Sequence, residues 1–202
     1  MSESQPSAID GEVQSALEHG DEALAVTRAL EGYGPEILGF LTGVLRDSDA
    51  AADAFSMFCE DLWRGLAQLR QQHALRAWMY TVARHAAARY RRAPYESRRK
   101  PLSYAPLAEL EARVRTQTLT FLRTESRSAV DRLREQLTPD ERALLILRLD
   151  RRLGWSEIAT VMAEPGSASS PEQLKRDAAL LRKRFERVKE RLRKLAQGAG
   201  LL

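Results

Sequence analysis

"LTPDERALLILRLDRRLGWSEIATVM", Leu137–Met162, carries the local rules for a helix, a turn and a second helix. Thr138 can cap a helix, Pro139 suits the first helical position, where no amide hydrogen is needed, and Glu141 can return a bond to the capping residue. "ALLILRLD" then supplies a buried helix, Gly154 a turn, and Ile158, Ala159 and Met162 the inward face of a short second helix. "SPEQ", Ser170–Gln173, repeats the start signal. The helix it opens contains "LLRKRFERVKERLRKL", Leu180–Leu195. There Leu181, Phe185, Val188, Leu192 and Leu195 recur at steps of four and three, which keep side chains on one face, and Lys, Arg and Glu cover the rest. A basic amphipathic helix standing alone fits a solvated face or a coiled-coil strand as well as it fits nucleic acid. Helix, turn, helix and a basic final helix is a DNA-binding order. The apolar stripe then holds the last helix to its module while its cations face phosphate.

The whole chain has 202 residues, 44% of them hydrophobic, which suits one or two small soluble domains with real cores. No apolar run approaches the roughly 20 residues of a membrane span, and "MSESQPSAIDGEVQ" lacks a basic start followed by an apolar core. The expectation is a cytoplasmic protein with no membrane insertion. The single cysteine, Cys59, has no internal disulfide partner, and Phe55, Met57, Phe58 and Leu62 around it mark a buried small hydrophobe. A formal charge of +4 matters less than its distribution: residues 1–83 hold 5 basic and 13 acidic groups, 84–100 hold 7 and 1, 101–174 hold 10 and 11, and 175–194 hold 10 and 3. Two basic blocks fit a polyanion touched at two places, and the acidic N-terminal part fits a basic protein partner.

The patterning gives an all-α chain of two small helical domains joined by a linker, the C-terminal one a helix-turn-helix. Residues 1–24 read as a polar extension that frays, with room for a short helix near Glu12–Leu24. Residues 25–93 form the first domain. Its patterning begins at Pro35, with Ile37, Leu38, Leu41, Val44 and Leu45 on one face. A turn at Asp47–Ser48 leads to a helix with Ala52, Phe55, Phe58, Cys59 and Leu62 inside. Trp78, Val82, Ala86 and Ala87 mark a third core face, on a helix that ends before Pro94. Residues 94–107, with three prolines, are the linker. Residues 108–202 form the second domain, opened by a helical segment from about Ala108 to Gln136 that can pack against either module, an extension of the second bundle being the plainer reading. The segment 163–178 is long for a turn between the last two helices, so the final helix is expected either to start early, at Pro171, or to sit at an altered angle.

These stretches resemble a known family. "YGPEILGFLTGVLRDSDAAADAFSMFCEDLW…LRAWMYTVARHAAARYRR" is similar to region 2 of the sigma-70 family, and "LTPDERALLILRLDRRLGWSEIATVM…ALLRKRFERVKERL" to region 4. Two such regions with a short linker resemble the extracytoplasmic-function (ECF) sigma factors. The chain departs from the family's region 2 pattern at Ser56, usually glutamine, at His85, usually asparagine, and at Arg89, usually acidic.

The resemblance implies promoter recognition on behalf of core RNA polymerase, which supplies the catalysis. It assigns Asp53, Ser56, Met57, Glu60 and Asp61 to the polymerase-binding helix. The −10 element and its melting fall to Arg84, His85, Arg89, Arg91 and Arg92, with Tyr80 as an aromatic candidate and Gln71, Gln72 and His73 as the polar edge of a base-capturing loop; Tyr90 lies on the same helix. Trp78 falls on the core face, so packing is its expected role. Aligning Leu181 with the opening of the family's recognition motif turns Arg182, Lys183, Glu186 and Arg187 toward the −35 major groove. There arginine reads guanine and glutamate accepts from cytosine. Lys189, Arg191, Arg193 and Lys194 lie nearer phosphate or solvent. The implied partners are core polymerase, promoter DNA and an anti-sigma factor.

No catalytic residues, metal ligands or cofactor are expected. His19, His73 and His85 lack metal-ligand spacing with Cys59, and no glycine-rich phosphate loop ends in Lys-Ser or Lys-Thr. Carboxylates are many, yet none are spaced as an acid/base couple. The rival readings are a helix-turn-helix regulator that is not a polymerase subunit, and a helical adaptor that binds only protein.

Overall fold

The computed structural model describes residues 8–65, 74–93, 105–124, 133–164, 170–199 and 201, and every regular element among them is a helix. The chain divides into two units, residues 1–122 and 123–202.

The first unit holds α1 (Ala8–Glu18), α2 (Glu22–Leu45), α3 (Ser48–Arg64), α4 (Leu75–Arg92) and α5 (Ala105–Thr124) except its last two residues. Asp21 Oδ1 accepts from the Leu24 amide at 2.9 Å and caps α2. That helix starts well before Pro35, because Ala25, Val26, Ala29, Leu30 and Tyr33 already form a buried stripe that outweighs the bond Pro35 removes from the helical ladder. Arg46, at φ 61°, closes α2 in the left-handed region, and Asp47 Oδ1 accepts the amides of Asp49 and Ala50 at 2.8 Å to start α3. Phe40, Leu41, Phe55, Phe58, Leu62, Met79 and Tyr80 make a core without solvent access. Phe40 meets the Tyr80 ring edge-on, centroids 5.2 Å apart. Arg76 fastens α4 to α2 through a two-pronged pair with Glu36, Nε at 2.8 Å and Nη2 at 3.0 Å. The hydrogen bond to Glu36 raises the guanidinium's already high pKa further.

Two boundaries differ from the sequence reading. Residues 8–18 are a packed helix, with Val13, Ala16 and Leu17 buried and the Tyr33 hydroxyl donating to Asp10 Oδ1 at 2.6 Å. Gly32 permits this approach, since a Cβ there would lie 2.6 Å from the Ile9 side chain. The segment read as an extension of the second domain, α5, belongs to the first unit. Val114 fits over Gly34, where a Cβ would lie 2.9 Å from its Cγ1, and Arg113 pairs with Glu31 at 2.9 Å. Of the expected linker 94–107, residues 94–104 lie outside the described residues, and Ala105, Pro106 and Leu107 already belong to α5.

The second unit contains α6 (Pro139–Leu145), continued by a π-helical turn at Ile146–Asp150, then α7 (Trp155–Met162) and α8 (Pro171–Gly198). The cap at Thr138 is reciprocal: its hydroxyl accepts the Glu141 amide at 3.3 Å, and Glu141 Oε2 accepts the Thr138 amide at 2.8 Å. The Glu141 carboxyl is nevertheless pulled in two directions. Desolvation raises its pKa, but the two Thr138 bonds and the charges of Arg191 and Arg184 outweigh that and hold it below the ordinary carboxylate value. Between α6 and α7 the left-handed residue is Arg152, φ 57°, whereas Gly154 has ordinary φ and serves as the cap of α7. On α7 the third buried side chain is Val161, and Met162 is only half-buried. Ser170 Oγ accepts the Gln173 amide at 3.2 Å, so α8 begins at Pro171 and runs 28 residues. Phe185 and Val188 are buried on its inward stripe. Among the described residues no helix is long and apolar enough to cross a membrane.

Candidate nucleic-acid interface

Helix α3 turns Ala51, Ala54, Phe55, Phe58, Cys59 and Leu62 into the core. Asp53, Met57 and Glu60 are left half-buried on the other side, and Glu60 Oε1 pairs with Arg64 one turn on, at 2.7 Å. Ser56 lies at the edge of that face, and its hydroxyl donates to Glu111 Oε1 of α5 at 2.9 Å. Asp61 Oδ2 accepts from Arg89 Nη2 of α4 at 2.7 Å. This bond brings together two residues that the sequence placed in different sites. Burial, reinforced by the charge of Glu111, pushes the Cys59 thiol well above its ordinary pKa, which suits an inert core residue.

On α4 the expectation for Tyr80 does not hold. Its ring is fully buried between Phe40 and the Arg76 guanidinium, 5.7 Å from the ring centroid, and has no path to a base. Trp78 is buried, as packing requires. Arg84 and His85 are half-buried, whereas Arg89, Arg91 and Arg92 are exposed in the last turn, where the helix dipole favours cations. Gln71, Gln72 and His73 lie outside the described residues.

On α8 the four residues assigned to groove reading separate. Lys183 and Arg187 are exposed and lie one turn apart on the outer side. Glu186 is engaged with Lys189 at 2.8 Å. Arg182 is drawn sideways over the Trp155 ring, its guanidinium carbon 5.5 Å from the centroid, and Arg148 sits at 4.9 Å from the same ring. Trp155 also meets Phe185 edge-on at 5.5 Å. This cluster places Arg182, still exposed, beside the joint between α7 and α8. The sequence offered only the position of Trp155, just after Gly154, and nothing local to indicate which cations would reach it. Arg191 is likewise committed, donating to the Gln136 carbonyl at 2.9 Å. Arg176 and Leu180, both exposed, join Lys183 and Arg187 on the outer ridge, because the helix starts at Pro171, well ahead of the aligned motif at Leu181.

Among the described residues, then, the elements are helical, and the end of α4 and the outer side of α8 carry exposed cations. Residues 29–95, from within α2 to just past α4, match the family model "Sigma-70 region 2". Over 164 residues, 77% of this chain and 83% of the relative, the sequence is 26% identical to the RNA polymerase sigma-H factor of Pseudomonas aeruginosa. No solved structure matches. Over these stretches the chain is similar to sigma-70 family RNA polymerase sigma factors.

Proposed function

We propose that this protein is a sigma factor of the ECF type, which binds core RNA polymerase, recognises −10 and −35 promoter elements and directs DNA melting. The observation that carries the reading is the separation of charge. The region 2 match covers a unit whose α3 shows carboxylates on one side and whose α4 ends in exposed Arg89, Arg91 and Arg92, while a second unit presents the cationic ridge of α8. Acidic groups on α3 suit a basic polymerase surface and set orientation and encounter rate. Cations at the end of α4 suit the backbone of a strand being separated, and those of α8 suit a major groove. Polymerase supplies the bond-forming chemistry, and an anti-sigma factor covering the polymerase-facing side is the expected regulator.

The test is reconstituted transcription from a promoter library with core enzyme. A sigma factor gives sequence-specific initiation only when chain and core are both present. Tight specific DNA binding by the chain alone, with no effect on core enzyme, would instead identify a helix-turn-helix regulator.

A further inference from the structure

Helix α8 breaks its own pattern once. Its large apolar residues Leu174, Leu181, Phe185, Val188, Leu192 and Leu195 lie along the inward stripe, buried or half-buried, whereas Leu180 is 62% exposed. That is the highest exposure of any large apolar side chain among the described residues. Single exposed leucines are ordinary on protein surfaces, so the surroundings decide. Arg176, Lys183, Arg184 and Arg187 stand four before and three, four and seven after Leu180, the positions that neighbour it on a helix. An apolar side chain thus stands in the middle of a cationic ridge. A surface built only to grip phosphate gains nothing from it, since leucine neither carries charge nor donates a hydrogen bond.

A major groove does offer one apolar feature, the 5-methyl group of thymine, and apolar side chains recognise it by contact. With Arg182 held on Trp155, the outer ridge runs Arg176, Leu180, Lys183, Arg187, its first three members in the N-terminal half of the helix, the part that meets base edges in helix-turn-helix docking. We infer that Leu180 reads a thymine methyl group in the −35 element and so sets specificity at one base pair, while the flanking cations hold the helix in register. This rests on the reading of α8 as the −35 helix.

The experiment uses holoenzyme reconstituted from the full chain and core polymerase on a promoter it transcribes. Each −35 thymine is replaced in turn by uracil, which removes only the methyl group. One such replacement should weaken promoter binding by about fourfold, the worth of one buried methylene-sized group. Leu180→Ala should cause a similar loss on the thymine promoter and no further loss on that uracil promoter. Leu180→Met, still apolar, should keep the thymine preference. Because Leu180 is exposed, the variants should melt like the parent. If no uracil position matters, or if the losses from uracil and Leu180→Ala multiply, the inference is overturned. Weaker association of Leu180→Ala with core enzyme and unchanged thymine preference would overturn it too, by making Leu180 a protein contact. Absence of any −35 sequence preference in the parent holoenzyme would fail differently, bringing down the underlying reading along with this one.

Discussion

The Ser56 hydroxyl donates a 2.9 Å hydrogen bond to Glu111 Oε1, joining α3 to a helix 55 positions along the chain. Glu111 is only 5% exposed, and Arg115 approaches it at 3.6 Å. A carboxylate in such a place stabilises the contact only while its partners stay, because a buried charge without them is costly. The first prediction uses Cys59 as the reporter. Its thiol is buried and its pKa is raised by burial and by Glu111, so the native protein should resist a thiol-specific dye at pH 8. Val114→Asp should drive α5 off Gly34 and speed labelling by at least about tenfold through local opening. Labelling as slow as in the parent would mean that α5 does not shield this side of α3.

Asp53 and Asp61, both on α3, should each respond to charge reversal. Asp53→Arg should weaken binding to core polymerase. Asp61→Arg should weaken binding and also destabilise, since Arg89 would face a like charge where it now has a 2.7 Å partner. The exposed part of that pair limits the loss to about 1 kcal/mol. Binding to immobilised core enzyme, read beside thermal melting, separates the two effects. Unchanged affinity in a folded Asp53→Arg protein would remove α3 from the polymerase-binding surface.

Legibility followed the range of the interactions involved. The caps at Thr138 and Ser170 were readable because each is complete within four residues, and the inward stripe of α8 was readable because helical period alone defines it. Helices α1 and α5 were misread because their burial depends on Gly32 and Gly34 of α2, which accept Ile9 and Val114 from opposite directions along the chain. No local pattern names such a partner. Ser56 and Arg89, two of the places where the chain departs from the region 2 pattern, are both used internally, one on Glu111 and one on Asp61. Tyr80 was misplaced for a related reason: an aromatic on a helix suits a base or a core equally, and Phe40 and Arg76 decide between them.

The exposed end of α4 carries the melting prediction. Arg91→Ala combined with Arg92→Ala should impair initiation from a duplex promoter by about tenfold more than from a pre-melted one, because cationic contacts help hold the separated backbone. Equal losses on both templates would assign these residues to binding alone.

Glu141 gives a pH dependence with a definite sign. Its folded pKa lies below the ordinary 4.5, so its stabilising contribution is complete above that value and is lost as pH falls through the folded pKa. Glu141→Ala should destabilise the second unit by about 1 kcal/mol at pH 7, the usual worth of a helix cap. The difference should narrow as pH falls through the folded pKa. Glu141→Gln should fall between, keeping an acceptor for the Thr138 amide but losing attraction to Arg191 and Arg184. A gap between parent and Glu141→Ala that stays constant through acid titration in thermal melts would show that lost packing, rather than charge, accounts for it.

The Trp155 cluster yields the sharpest separation between structural and reading cations on α8. Arg182 lies over the indole at 5.5 Å, and Arg187 points outward. Arg182→Ala should therefore cost about 0.5–1 kcal/mol of stability, the worth of an exposed cation–π contact, and leave the pattern of −35 preference intact. Arg187→Ala should do the reverse: melting stays as in the parent, while binding at the preferred −35 sequence falls by about 1–3 kcal/mol and discrimination flattens at one base pair. Lys194, exposed near the end of the helix and 3.9 Å from Glu190, stands apart from both. Lys194→Ala should weaken binding to all sequences alike and make the salt dependence shallower by about one unit, as one fewer counterion is released. Holoenzyme binding to a −35 library at several salt concentrations, with melting curves for each variant, measures all three. If Arg182→Ala flattens discrimination as Arg187→Ala does, the guanidinium leaves Trp155 for the groove on binding; if all three lose affinity uniformly across sequences, α8 anchors DNA by charge and reads none of it.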